Sequence, residues 1–179
     1  HFSIFAFAPQ PLLILLGSLL TDKIAAEVYQ LHREPKTWKW QPGPDNFEFI
    51  INEPASFNHP PALIISLSDR IDPARINTVI GNDCSVWELT IKNYNNDFLQ
   101  SRSQLSEFRK NMRRLMISIK EKHGQTTPLS VFPAMPVACA VEFGRIRMPK
   151  ADMPWIIYDQ NNKEKKFIRA IQIAGDEHG

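Results

Sequence analysis

Phe132-Pro-Ala-Met-Pro136, running into Val137-Ala-Cys-Ala-Val-Glu-Phe143 and then Gly144, is the stretch that decides the fold. Pro128-Leu-Ser-Val-Phe132 ahead of it reads as a strand, and the proline-bracketed turn ends that strand because proline has no N–H for a ladder. The apolar run that follows reads as a helix, stopped by Gly144. Near the other end of the chain, Phe7-Ala-Pro-Gln-Pro11 leads into Leu12-Leu-Ile-Leu-Leu16 and Gly17. With Phe7 set against Phe132 and Pro11 against Pro136, both passages read strand, aromatic, proline turn, then an apolar helix with proline in its first turn. His1 to Ala8 carries Phe5 and Phe7 at alternate positions and is expected to be a buried strand. Trp38 and Trp40 after the first unit, and Trp155 after the second, each lead into a further strand (Phe47 to Asn52, Lys166 to Ile173), which extends the correspondence. The expectation is an α/β chain: one domain over 1–179, built from two related halves, 1–122 and a shorter 123–179.

Between the two passages, residues 24–33 are expected to form a short helix closed by Glu34-Pro35, followed by an extended Thr37 to Trp40. Ala62 to Ser68 and Val86 to Lys92 read as strands, the segment holding Pro54, His59, Pro60 and Pro61 as loop, and Pro73 as the start of a helix. A long helix is expected from Ser101 to Lys122, because Leu105, Phe108, Met112, Leu115, Met116 and Ile119 keep the three-four spacing of one buried stripe. That helix holds Arg102, Arg109, Lys110, Arg113, Arg114, Lys120 and Lys122 against Glu107 and Glu121. Such a face is either solvated or in contact with DNA or a neighbouring subunit.

The 179 residues suffice for one ordinary domain, and 43% apolar with 22% charged residues is a globular composition that excludes wholesale disorder. Twenty-one Lys and Arg against 19 Asp and Glu leave +2, too little for the whole surface to hold nucleic acid by charge alone. Cys84 and Cys139 stand far apart in apolar surroundings and read as buried, reduced thiols. The apolar run Pro11 to Leu20 is half the length of a membrane span and no basic segment precedes it, so a soluble, cytoplasmic protein without a membrane partner is expected. The start at His1, directly on a strand pattern and without an initiator Met, reads as a domain cut from a longer polypeptide.

In open α/β sheets, ligands sit beyond the carboxyl ends of strands, where strand-to-helix turns expose N–H groups at the positive end of a helix. That rule selects the turns at Gln10 and Met135, flanked by Pro9, Pro11 and Pro133. If the halves pack about a pseudo-two-fold axis, both helix N-termini face one cleft suited to a nearly two-fold ligand with two or more phosphates. Trp38, Trp40, Trp155 and Tyr158 are candidate stacking platforms for purines, and Lys39, Arg70, Arg147 and Lys150 candidate phosphate partners. Ser68 closes a strand and can supply a hydroxyl. A Trp in a strand is more often core than ligand platform, and a single strand-proline-helix junction is more often plain turn chemistry, the second copy bringing the two readings level. Catalytic signals are poor. The five histidines, His1, His32, His59, His123 and His178, have no metal-ligand spacing, and the glycines form no phosphate loop. Asp83, Glu88 and Lys92 lie along one segment in the manner of a restriction-type nuclease strand, but that site needs its lysine where Thr90 stands, so the segment is an ordinary strand.

Taken together, Phe5-Ala-Phe-Ala-Pro9-Gln-Pro-Leu-Leu-Ile14, Tyr29-Gln-Leu-His-Arg33 with Trp38-Lys-Trp40, and Phe132 to Pro136 through Ala140-Val-Glu-Phe-Gly144-Arg and Met148-Pro-Lys150 to Trp155-Ile-Ile-Tyr-Asp159 resemble the SAVED domain. The chain is most similar to the SAVED half of HNH endonuclease effectors in bacterial cyclic-oligonucleotide antiphage signalling, although no HNH motif is present. The resemblance implies two fused CARF-like, Rossmann-like halves with a ligand cleft between them, no catalytic residue and no cofactor. It implies a cyclic di- or trinucleotide ligand, of the cyclic GMP-AMP type among others, whose binding drives self-association and activates a fused nuclease that acts on DNA. The alternative is a CARF-like enzyme that cleaves such rings, against which stands the lack of a His or a carboxylate pair near the two turns in the sequence. A third reading is a pure oligomerisation module.

Overall fold

The computed structural model describes residues 1–44, 46–161, 163–164 and 166–174; His178 lies outside the described residues. Six strands form the central sheet: β5 (Phe49–Asn52), β6 (Pro61–Ser66), β7 (Ser85–Ile91), β8 (Leu129–Ala134), β9 (Trp155–Asn161) and β10 (Lys166–Ile173), in the order β10-β9-β8-β6-β7-β5. The inner four are parallel and the two edges antiparallel. Burial on both faces explains why β6 is apolar throughout, Pro61 to Ile65, and buried at every position. Because β6 pairs with β8, the sheet is continuous across the sequence division at 122/123.

Two smaller pieces flank the sheet. β1 (Phe2–Phe5) and β2 (Ala26–Tyr29) pair in parallel, and β3 (His32–Arg33) and β4 (Lys36–Thr37) form a hairpin. The helix expected within 24–33 is therefore corrected to strand, turn and strand. The local pattern loses to tertiary demand: β2 pairs with β1, and Arg145 donates hydrogen bonds to the carbonyls of Ile24 and Ala26. β1 is also not the buried strand expected, since Phe2, Phe5 and Phe7 are all exposed.

Among the described residues four helices pack with these strands: α1 (Gln10–Leu20), α2 (Pro73–Ile80), α3 (Arg102–His123) and α4 (Val137–Arg145). One face of the sheet packs on α3 and α4 through residues such as Leu63, Trp87, Phe108, Met116, Val131 and Ile157. The other face, with Ile64, Phe132, Tyr158 and Phe167, meets Ile76 of α2. α3 starts with a capping box, in which Ser101 Oγ accepts from the Gln104 N–H and Gln104 Oε1 accepts from the Ser101 N–H. Its basic face is largely matched by acids of other elements: Arg102 with Glu27, Arg109 with Glu142 at 3.3 Å, Arg113 with Asp22 at 3.1 Å and Lys120 with Asp152 at 3.2 Å. Cys139 is buried as expected, whereas Cys84 is only partly so. Among the described residues no helix is long and apolar enough to cross a membrane.

The two strand-helix units correspond in a different register from the one the prolines suggest. Pro9 and Pro136 are the matching N-caps, with nearly the same backbone angles, so each residue of α1 matches the residue of α4 127 positions later. In that register Gly17 meets Gly144, and the two cross reciprocally. A Cβ on Gly17 would lie 2.0 Å from the Val141 carbonyl oxygen, and one on Gly144 2.0 Å from that of Ile14, the residue matching Val141. Phe5 likewise matches Phe132, and each stacks on the tyrosine of the next parallel strand, Phe5 on Tyr29 at 4.6 Å and Phe132 on Tyr158 at 4.5 Å.

Candidate functional site

Both strand-proline-helix turns open at the carboxyl ends of their strands, and the crossing at Gly17 and Gly144 fixes the two helices to each other. Gln10, the first residue of α1, accepts a hydrogen bond from the Met135 N–H at 3.2 Å. The two turns singled out from the sequence thus touch, although 125 positions separate Gln10 from Met135. Beside them lies a cleft of about 370 Å³, within the range of small-molecule sites. Its walls come from Ala6 and Phe7 beyond β1, Gln30 to Arg33 beyond β2, Lys36, Ser68 beyond β6, Asn96, and Met135 to Val137 at the start of α4.

The cleft has the electrostatics of an anion site. Arg33 and Lys36 line it, the N-terminal end of α4 opens on it, and none of the described lining residues is acidic. Gln30 holds the wall in place by accepting from the Ala138 N–H in the first turn of α4, at 3.1 Å. The Ser68 N–H donates to the Ala134 carbonyl at 2.8 Å, tying the end of β6 to the end of β8. On the hairpin, Asp97 accepts from the Arg33 N–H at 3.3 Å.

His32 also lines the cleft. It is 1% exposed, its ring meets Trp40 edge-on at 5.8 Å, and neither ring nitrogen has a hydrogen-bond partner. Burial holds its pKa below the usual histidine value, with the Asp97 carboxylate opposing that effect in part. This placement corrects the sequence argument that no histidine stands near the turns: the chain returns through β2 and brings His32 beside Met135 and Val137. A larger groove of about 750 Å³ lies between residues 42–50 and 91–104, but its charged lining, Glu48, Lys92 and Asp97, is net acidic and suits a phosphodiester poorly.

The residues singled out from the sequence divide into two groups. Pro9, Gln10, Pro11, Met135 and Ser68 stand at the joined turns or in the cleft wall. Trp38 lies edge-on to Phe5 at 5.2 Å, Trp40 packs near Tyr29 and His32, and Lys39 is exposed between them. Pro133 is buried within β8, opposite Ile65 of β6, and Arg70 points from an exposed loop beyond Ser68. Arg147, Lys150 and Trp155 lie past the other end of α4. Trp155 begins β9 opposite Leu129, six residues and roughly 20 Å of strand from the cleft. Trp155 is fully buried and stacked on Phe143 at 4.4 Å, with the Arg147 guanidinium over its ring, and Arg147 also donates to the Ala174 carbonyl. Tyr158 faces the α2 side of the sheet. Sequence reasoning missed Gln30, His32, Arg33, Lys36 and Asn96 as cleft residues, and no local signal marks them. Among the described residues, no group of three or more His, Cys, Asp and Glu side chains is placed to hold a metal ion.

Three comparisons bear on this geometry. Residues 1–173 match the family model described as SAVED, the SMODS-associated and fused to various effectors sensor domain. Among solved structures, the fold resembles the Acinetobacter baumannii Cap4 SAVED/CARF-domain containing receptor with the cyclic trinucleotide 2'3'3'-cAAA, with a TM-score of 0.64 and 14% identity over 93% of this chain and 37% of that one. The same receptor with 3'3'3'-cAAA gives 0.64 and 14% over 92% and 36%, and the receptor alone 0.64 and 13% over 95% and 35%. The chain therefore spans little more than a third of that receptor. No curated protein matches the sequence.

Proposed function

The chain belongs to the SAVED family of sensor domains, and from that premise we propose that it binds a cyclic di- or trinucleotide in the cleft where its two strand-helix turns meet. The observation that carries the reading is the Gln10 to Met135 hydrogen bond, which joins the two turns beside a cleft lined by Arg33 and Lys36 and by no described carboxylate. The matched pairs Pro9 and Pro136, Gly17 and Gly144, Phe5 and Phe132 support two CARF-like halves related by a pseudo-two-fold. Such symmetry suits a ring of repeated phosphodiesters. Receptors of the same fold carrying cyclic triadenylates lend weight to a trinucleotide. Calorimetry of the domain against cyclic di- and trinucleotides, with linear counterparts as controls, tests this. A cyclic ligand should bind much more tightly than its linear form, because ring closure removes ordering cost. Equal affinity for the two, or no binding, refutes the cleft.

Binding then acts by population shift on the assembly of a longer cytoplasmic effector, bringing DNA endonuclease domains together. α1 supports this step. Leu13 and Ile14 are buried, but Leu12, Leu16 and Leu19 remain exposed, apolar surface available to a neighbouring subunit. Light scattering of the full-length protein should show a rise in mass with ligand, and an unchanged mass with nuclease switched on refutes it. One observation favours a second reading, cleavage of the ring in the same crevice: the unpartnered His32 imidazole. Linear products after incubation with the isolated domain would establish that reading.

A further inference from the structure

Of the polar side chains lining the cleft, His32 is both buried and without a partner for either ring nitrogen, and a buried polar group in that position calls for a water or a ligand to complete the bonding. Its neighbours define what that ligand offers. Arg33 and Lys36, paired with each other on the β3–β4 hairpin, line the cleft with it, as does the start of α4, and Asp97 is held against the Arg33 backbone. The charged groups around the cleft are Arg33 and Lys36, which line it with His32, Asp97 from the loop after β7, whose carboxylate acts on the ring, and the positive end of α4. A neutral imidazole keeps one N–H to donate, and in this setting the acceptor complementary to it is a phosphoryl oxygen.

We propose that His32 is a proton-coupled phosphate contact, donating a ring N–H to an anionic oxygen of the ligand and taking up a proton as that ligand binds. This deepens the cyclic-nucleotide reading and rests on it for the identity of the ligand, while the chemistry it requires is that of a phosphate or phosphodiester anion. In the free protein, burial favours the neutral ring. A phosphodiester against the ring favours the imidazolium, so the pKa rises in the complex and binding tightens as pH falls. Each unit by which the ligand raises that pKa makes affinity roughly tenfold stronger at the acid end of the window than at the alkaline end.

Imidazole nitrogen NMR on the whole chain, combined with titration of ligand affinity from pH 5.5 to 8.5, tests this with two probes, cyclic triadenylate and inorganic pyrophosphate. Expected is a His32 pKa below 6.5 in the free protein that rises with either probe, and a pH-dependent affinity that becomes flat in His32→Gln, with the other histidines unmoved. If cyclic triadenylate binds while the His32 resonances stay fixed and His32→Gln keeps the wild-type pH profile, this proposal fails and the cyclic-nucleotide reading stands. If pyrophosphate moves His32 and no cyclic nucleotide binds, the phosphate contact stands and the cyclic-nucleotide reading fails. If neither probe moves His32, the proposal is overturned. Thermal unfolding of His32→Gln and His32→Asn shows that the variants are folded, and where one fails to fold the other serves.

Discussion

Gly144→Ala should loosen the crossing that holds the two strand-helix units together. The added methyl would sit 2.0 Å from the Ile14 carbonyl oxygen and 2.7 Å from the Ser18 nitrogen, whereas ordinary contact begins near 3.4 Å. α1 would have to retreat by about 1.4 Å, and because both clashing atoms are backbone, no side chain can swing aside. Overpacking of this kind costs about 1–3 kcal/mol, and a rigid obstacle places it at the upper end. The better helix propensity of alanine returns up to ~1 kcal/mol, leaving a net loss of about 2 kcal/mol. For a chain of this length that lowers Tm by roughly 4–8 °C. Gly17→Ala should behave alike, since its methyl meets the Val141 carbonyl in the same way. Once one methyl has separated the helices the second meets less resistance, so the double variant should lose less than the two single losses combined, by ~1 kcal/mol or more. Urea unfolding of the parent, both single variants and the double variant gives the cycle. Single variants within about 0.5 kcal/mol of the parent, or strictly additive losses, would show that the crossing is not the tight joint described here.

Arg145→Met removes a buried guanidinium that donates to Glu142 and to the carbonyls of Thr21, Ile24 and Ala26, and leaves Glu142 with the partly exposed Arg109 alone; about 3–5 kcal/mol should be lost in urea unfolding, and a loss under 1 kcal/mol refutes the assignment. Trp87 donates its indole N–H to His123 Nε2 at 3.1 Å, and burial holds the His123 pKa below the usual 6.5. The unfolded chain is then protonated first, so the stability contribution is whole above about pH 6.5 and is lost as pH falls below it toward the folded value. The urea midpoint should drop between pH 7.5 and 5.5, less so in His123→Gln, and an identical drop in both clears His123 of the role. Lys36→Ala should weaken nucleotide binding by about 1.5–3 kcal/mol while Lys150→Ala, at the far end of α4, leaves it unchanged; calorimetry showing the reverse moves the site to Lys150.

The sequence was most legible where burial is one-dimensional. β6, buried on both faces, needs an unbroken apolar run, and α3 announces itself through its stripe and its Ser101 to Gln104 cap. The correspondence of the two strand-helix units was visible but shifted by two residues, because Pro11 and Pro9 both suit a helix start and the Pro9 and Pro136 caps and the Gly17 to Gly144 contact show themselves only in the folded chain. β2 was hidden because its partner lies on another segment and its first carbonyl, that of Ala26, is held by a residue more than a hundred positions away. The site was half legible. Strand-to-helix turns follow a rule that reads directly from sequence, but His32, Arg33 and Lys36 reach the cleft only through the return of the chain beyond β2. Trp155 shows the opposite error, an aromatic that looked like a stacking platform and is core, packed on Phe143.

The reciprocal seat of α1 on α4 also sets a schedule for biosynthesis. α1 is made before the helix it docks against, whose matching residues are encoded 127 positions later, so at ordinary translation speeds of 5–20 residues per second it waits roughly 6–25 s for its partner. Throughout that interval Leu13 and Ile14, buried in the finished fold, are as accessible as Leu12, Leu16 and Leu19. The nascent chain therefore displays a helix apolar on all sides, a natural client for a ribosome-associated chaperone. Slowing translation downstream of α1 should lower the soluble yield of this domain, and co-expressed holdases should restore it.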